Sequence, residues 1–422
     1  MKVFKFGGAS VNTAERIKNV AAILKKYEHE KLLVVISAMG KTTNALEKVV
    51  EAFYAGEKVK SLQLFEEVKK QHLEITNQLV DQSTNQLTDF FTEVEWLLHD
   101  KPVRNFDYYY DQVVCVGELL STAIVSNYLN EVGISNKWID VRDIIRTDDN
   151  FRDARIDWVF TSEKINQQVL PLFNQSNIVL TQGFIGATDE NESTTLGREG
   201  SDYTAAVFAN FLNAESQTIW KDVQGVMNAD PKQYAEAQWI RELNYREVIE
   251  MAYYGAQVIH PKTIKPLQNK SIPLYVRSFF HPDDEGTCIH NKNINNLPPI
   301  IVYKYNQALI QLNSKDFSFV GEGLSAELYK LFEQFKFKPN LTQNAAITLL
   351  CVVDEHPEKV DHLAHAAAPF SDVQVTKNLT LLTIRHYNQK LLNELCKDCE
   401  IILQQQTPET IQVLMKAKPL SV

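Results

Sequence analysis

Lys5 stands between Phe4 and Phe6 and runs straight into Gly7-Gly8, in the opening stretch MKVFKFGGASVNTAERIKNVAAIL. An ammonium inside an apolar strand is costly unless it reaches an anion or water. Paired glycines leave the following turn without side chains, so backbone N–H groups can approach a ligand closely. A helix is predicted next, with Asn12 as its cap, Glu15 three residues on, and Ile17, Val20, Ala21 and Leu24 along one face. Strand, glycine turn and helix start are a common way of holding phosphate. The alternative is a surface lysine before a hairpin turn.

Three further stretches carry chemistry-bearing residues. In LGREGSDYTAAVFANFL, Gly197 and Gly200 bracket Arg198, whose guanidinium can grip a carboxylate or phosphate bidentately. Ser201-Asp202 fall at the first turn of a predicted helix, which Ser201 can cap. TIWKDVQGVMNADPK places Lys221-Asp222 at a strand end, where open α/β sheets bind ligands, although N-A-D-P is also ordinary turn chemistry. CVGELLSTAIV sets one acid, Glu118, at the start of an otherwise apolar helix, where it can also simply favour the helix N-terminus.

Other motifs carry less. Gly40-Lys41-Thr42 lacks the earlier glycine of a Walker A loop, since that position is Val35. GEGLSA (321–326) fits a dinucleotide turn, but no acid lies about twenty residues on and too little chain follows. Cys396-Lys397-Asp398-Cys399 is a lone C-x-x-C, read as structural. The ten histidines show no H-E-x-x-H arrangement, and no metal is assigned to them.

These residues need a scaffold. The 422-residue chain is expected to make two or three domains, and its 44% hydrophobic and 23% charged content is ordinary for a globular protein. A net charge of -10 argues against general nucleic-acid binding. Apolar runs such as LLVVI are too short to span a bilayer, and no signal peptide is apparent. Five scattered cysteines suit a reducing cytoplasm. Up to about residue 280, β-type runs (VFKF, KLLVVIS, NIVLTQGF, TIWKDV, IPLYVRSF) alternate with helical stretches, the pattern of a mainly parallel sheet covered by helices on both faces. Asn44 to His99 reads as several packed helices. HNKNINNLPPI (290–300) reads as a linker, and smaller α+β units follow it.

In this order, KFGGAS, SAMGKTTN, VGELLS, GREGSD, WKDVQGVMNADP and EMAYYGAQVIHPKTI resemble the aspartate kinase pattern of the amino acid kinase family. The resemblance covers about residues 1–290, and the tail is similar to that family's tandem ACT regulatory domains. It implies an αβα amino acid kinase fold over 1–292 and an α+β ACT region over 300–422. It also implies a monofunctional enzyme that transfers the ATP γ-phosphoryl group to the side-chain carboxylate of L-aspartate, as in lysine and threonine biosynthesis. Carried over residue by residue, Lys5 and Asp202 are catalytic and Gly7 and Gly8 cradle phosphate. Ser37, Ala38, Thr43, Glu118, Arg198 and Ser201 bind aspartate. Lys221, Asp222, Met227, Lys232 and Gln257 line the nucleotide, with Mg²⁺ held mostly by the phosphates.

The chain departs from the family pattern at Ala9, Glu199, Lys232 and Gln257, where threonine, glycine, arginine and lysine are usual. In the tail, Asn340 stands where the family has an aspartate that helps hold an effector's ammonium, so weak control by lysine or threonine is expected. A cytoplasmic homodimer joined through the ACT domains, without membrane or nucleic-acid partners, is the implied state. A silent amino-acid sensor and a kinase for another acceptor are the alternatives.

Overall fold

The computed structural model describes residues 1–81, 85–256, 258–315, 319–320 and 322–416. Residues 1–226, 239–249 and 257–294 form one compact unit, and residues 227–238, 250–256 and the chain from Asn295 form another.

As far as His290, the elements run in chain order as β1 (Lys2–Phe6), α1 (Ala14–Lys25), β2 (Leu32–Ile36), α2 (Thr42–Tyr54), α3 (Lys58–Asn77) and α4 (Asn85–His99). Next come α5 (Phe106–Val114), α6 (Val116–Glu131), β3 (Asn136–Trp138), α7 (Trp158–Lys164), β4 (Ile178–Gln182), a ribbon of β5 (Ile185–Ala187) and β6 (Ser193–Thr195), α8 (Gly200–Phe211) and β7 (Ser216–Lys221). The short strands β8 (Val226–Met227), β9 (Trp239–Ile240) and β10 (Glu242–Asn244) precede α9 (Tyr245–Tyr254), α10 (Pro261–Asn269), β11 (Leu274–Ser278) and β12 (Thr287–His290).

Eight strands build the central sheet in the order β10-β12-β11-β7-β1-β2-β4-β3, and every pairing is parallel except β11 with β12. LLVVI of β2 is buried at every position, as a central strand covered on both faces must be. Strand β1 has β2 on one side and β7 on the other, so the connections diverge there and leave a crevice at the carboxyl ends. Helices fill the faces. Phe106–Glu131 is apolar and long enough to cross a bilayer by length and composition, beyond the short runs noted in the sequence, but 83% of that window is buried inside the protein. It is a core helix pair.

Two caps differ from expectation. Thr13, not Asn12, caps α1, because Thr13 is the last extended residue (φ -142, ψ 160) and its Oγ1 accepts from Arg16 N at 3.3 Å. Ser201 does not cap α8. The chain enters that helix through Glu199 in the left-handed region (φ 55), which puts Ser201 inside the first turn.

The second unit contains β13 (Ile300–Ser314), α11 (Glu322–Gln334), β14 (Leu341–Asn344), β15 (Thr348–Asp354), α12 (Pro357–Ala367), β16 (Ser371–Arg385), α13 (Gln389–Leu395), β17 (Glu400–Gln406) and β18 (Thr410–Lys416). Its sheet is antiparallel throughout, ordered β14-β15-β13-β16-β18-β17. One apolar core joins Ile310 and Leu312 to Leu328, Phe332, Val360 and Leu363, and another joins Ile301, Leu382 and Ile384 to Leu392, Ile411 and Val413. Strands β13 and β16 run through both cores. Their register shifts between Lys304 and Gln307, where Lys304 Nζ donates to Asn340 Oδ1 at 2.6 Å and Asn340 Nδ2 donates to Gln307 Oε1 (2.7 Å) and Asp354 Oδ1 (2.9 Å). Cys396 and Cys399 pack against the second core as unpaired thiols. The GEGLSA stretch opens at Gly321, which lies outside the described residues.

Candidate active site

Side chains alternate along a strand, so Phe4 and Phe6 share one face of β1 and Lys5 takes the other. Phe6 stacks on Trp220 with ring centroids 5.9 Å apart, and both phenylalanines are buried. The Lys5 ammonium lies 2.7 Å from Asp202 Oδ1, in the first turn of α8, as an ion pair off the line of a hydrogen bond. Asp202 is 4% exposed. The costly lysine has its anion.

Glu118, in the first turn of α6, is 2% exposed. Its Oε1 accepts from Ala38 N at 3.3 Å, while Oε2 is buried with no hydrogen-bond partner. Burial pushes its carboxyl up to about 8, against the pull of the Ala38 and Glu118 backbone N–H groups and of Lys5. A buried acid with one oxygen unsatisfied, beside a cation, is the arrangement expected where a ligand's ammonium completes the set.

The turns that close β1 and β2 interlock. Ser37 N donates to Phe6 O (3.1 Å), Gly40 N to Gly8 O (3.0 Å) and Ser121 Oγ to Ser37 O (2.8 Å). A Cβ on Gly8 would lie 2.6 Å from Ala38 O, so this approach requires glycine. No side chain caps the single 3-10 turn at Gly8–Ser10. Ser201 packs on Gly183, where a Cβ would come within 2.5 Å of its own, and Gly183 N donates to Ile36 O at 3.1 Å. Thr43 is half-buried in the first turn of α2. Lys5, Gly7, Gly8, Ser37, Ala38, Glu118, Ser201 and Asp202 thus converge at the carboxyl ends of β1, β2 and β4.

Arg198 is exposed in the loop before α8 and makes no ion pair among the described residues. Its neighbour Glu199 accepts from His260 N through Oε2 at 2.8 Å, and Lys262 Nζ donates to Leu196 O and Asp153 Oδ1, each at 2.9 Å. Lys221 ends β7 with Nζ donating to Val258 O at 2.7 Å, so it braces the segment after Gln257; Asp222 is exposed. Met227 and Lys232 belong to the second unit, Lys232 on an exposed turn where its N–H donates to Asp230 Oδ1 at 2.9 Å. Gln257 lies outside the described residues.

Sequence reasoning passed over Asp111, Gln112 and Lys262, which brace the loops around this crevice. Asp111 is fully buried, and burial pushes its carboxyl up to about 6 against hydrogen bonds from Arg152 N and Thr195. The available signal was an acid in a helical run rich in apolar residues, seven positions or about two turns before Glu118.

A parallel sheet with a strand-end lysine, a glycine turn and buried carboxylates at its switch point defines an anion-handling α/β enzyme site. Residues 1–278 match the amino acid kinase family, and the chain belongs to that family. It is similar to the lysine-sensitive aspartokinase 3 of Escherichia coli (strain K12), with 32% identity over 359 residues, 83% of this chain and 78% of that one. Among solved structures, E. coli aspartokinase III in complex with aspartate and ADP matches with a TM-score of 0.81 at 27% identity, covering 99% of this chain and 96% of that chain. E. coli aspartokinase III in complex with lysine and aspartate matches with a TM-score of 0.79 at 27% identity, covering 98% and 95%. The antiparallel α+β sheet after Asn295 is consistent with the expected ACT-type region.

Proposed function

We propose that the chain is an aspartate kinase, transferring the γ-phosphoryl group of ATP to the side-chain carboxylate of L-aspartate. The observation that carries this reading is the ion pair of Lys5 with the buried Asp202 beside the half-satisfied Glu118, at the strand ends of an amino acid kinase fold. The chemistry asks little else. The acceptor carboxylate is ionised at pH 7, so no base is needed. An aspartate oxygen forms its bond to the γ-phosphorus as the bond to the bridging oxygen breaks and ADP departs. What remains is holding two anions together and countering charge on the transferred group.

Lys5 supplies that counter-charge, and Asp202 holds its ammonium in place. The Gly7-Gly8 turn, clear of side chains, takes the phosphates. Glu118 receives the substrate ammonium and Arg198 its α-carboxylate, with Ser37, Ala38, Thr43 and Ser201 lining the pocket. Lys221 and Asp222 serve the nucleotide, a role that the family resemblance alone gives to Met227, Lys232 and Gln257. Mg²⁺ would come with the phosphates, which would supply most of its ligands. A homodimer formed through the ACT-type region and a cytoplasmic setting belong to the same reading, which ATP use and the unpaired cysteines support.

Feedback by lysine is expected to be weak. The Asn340 oxygen already accepts the chain's own Lys304 ammonium, and asparagine lacks the charge that would hold a second one. Coupled ADP release tests both points. L-aspartate should be turned over in preference to N-acetylglutamate or a nucleoside monophosphate, and lysine should inhibit little. Preference for another acceptor would overturn the assignment, and strong inhibition at submillimolar-order lysine, the usual range of a metabolite site, would overturn the effector reading.

A further inference from the structure

Strand β6 is half of a two-stranded ribbon. Its residues pair with β5 as Ile185↔Thr195, Gly186↔Thr194 and Ala187↔Ser193, which leaves one edge without a neighbouring strand. That edge is occupied by two consecutive side chains of α5, with Ala154 N donating to Thr195 O at 2.9 Å beside them. Gln112 Nε2 donates to Ser193 O at 2.8 Å and Gln112 Oε1 accepts from Ser193 N at 3.0 Å, the two bonds that a neighbouring strand residue would make. Asp111 Oδ2 accepts from Thr195 N at 2.8 Å and from Arg152 N at 3.0 Å, and its Oδ1 accepts from Thr195 Oγ1 at 2.8 Å. Ser193, Thr195 and Asp111 are all buried.

The clamp joins two segments that lead to the crevice. Three residues after Thr195 the chain reaches Arg198, then enters α8 with Ser201 and Asp202. Seven residues after Asp111 it reaches Glu118. We propose that Asp111 and Gln112 are positioning residues that act as a surrogate strand, fixing the Arg198 loop relative to the helix that carries Glu118 and so setting the span available to the α-carboxylate and ammonium of the amino-acid substrate. This rests on the aspartate reading above. Neither residue touches the reacting atoms, so loosening the clamp should misplace a binding group and leave the phosphoryl side intact.

Asp111→Ala removes three hydrogen bonds at once. It should raise the aspartate KM about tenfold or more while the ATP KM and kcat stay within about threefold, the pattern of lost ground-state binding. Asp111→Asn is the conservative control, because the Thr195 hydroxyl can turn to accept from the amide; its aspartate KM should return to within about threefold of wild type. A residue of purely structural importance would instead lower the active fraction and leave both KM values unchanged. Gln112→Ala, which removes the two bonds to Ser193 and a longer one (3.4 Å) to Tyr108 O at a half-buried position, should give a smaller rise of the same kind and serves if Asp111→Ala does not fold.

A second readout does not depend on catalysis. Trypsin cleavage after the exposed Arg198 should be about tenfold faster in Asp111→Ala, because the loop samples open states more often. Faster cleavage in an enzyme without aspartate activity would uphold the clamp and sink the aspartate reading. Unchanged aspartate KM together with unchanged cleavage, in folded variants, would overturn the proposal.

Discussion

Lys5 and Arg198 are both cations proposed to meet anions, and burial separates them. Lys5 is committed to a buried carboxylate at 2.7 Å, whereas Arg198 is exposed. Lys5→Ala strands Asp202 without a counter-charge, a loss typically costing about 3–5 kcal/mol of stability. The folded fraction should show kcat reduced about a hundredfold or more, because charge stabilisation is lost as the transition state forms. Arg198→Ala should leave stability within about 0.5 kcal/mol and mainly raise the aspartate KM. A denaturation curve and steady-state kinetics on each variant check this, and an aspartate KM changed only by Lys5→Ala would reverse the assignment. Glu118 makes a pH-dependent claim. Its folded carboxyl sits at about 8 against an ordinary value of 4.5, so between these values the folded state keeps a proton that the unfolded chain has lost. The associated stability is fully present below about 4.5 and is lost as pH rises through about 8. Wild type should therefore lose more stability from pH 5 to pH 9 than Glu118→Gln, by an amount on the order of a few kcal/mol. Equal losses in urea unfolding at the two pH values would contradict this.

The turns after β1 and β2 set the geometry of the crevice, and the two glycines of Gly7-Gly8 differ in what they tolerate. An added Cβ on Gly7 meets only the flexible end of Lys5, at 3.4 Å from Nζ, and Gly7 has an ordinary φ of -78. On Gly8 it meets backbone, 2.6 Å from Ala38 O and 3.1 Å from the N and O of Gly40. Gly8→Ala should thus cost about 1–3 kcal/mol by overpacking and lower kcat, whereas Gly7→Ala should cost under about 1 kcal/mol. Chemical denaturation of both variants decides it; equal losses would mean that the interlock does not hold these turns. Local pattern made much of this level legible. Apolar runs and glycine breaks mark β1, β2, β4, β7 and β11, and alternation puts Lys5 opposite its two phenylalanines. The Glu199 turn and the α5 clamp were not legible, because a left-handed φ at a non-glycine residue and a side chain standing in for a strand leave no periodic trace.

At the scale of the molecule, sequence order and spatial order diverge. The tail reads as small α+β units in succession, but β13 and β16 thread both cores of one continuous sheet. Such pairing is long-range and is specified by two apolar faces meeting rather than by a local signal. The stretch EMAYYGAQVIHPKTI, single in sequence, is divided: residues 250–256 pack with the second unit and the chain from 257 with the first. Within the second unit, Gly255 (φ 110) lies under the Lys304 stem, where a Cβ would come within 2.5 Å of Cε. Composition and periodicity cannot show such a division. The chemistry itself is open to one direct measurement. Aspartate phosphorylated on its side chain is an acyl phosphate, which neutral hydroxylamine converts to a hydroxamate. Purified protein with Mg²⁺, ATP, L-aspartate and hydroxylamine is expected to form hydroxamate in step with ADP, and to form none when aspartate is omitted. Folded protein that releases ADP without hydroxamate, or yields no hydroxamate above the aspartate-free control, would contradict phosphoryl transfer to the aspartate carboxylate.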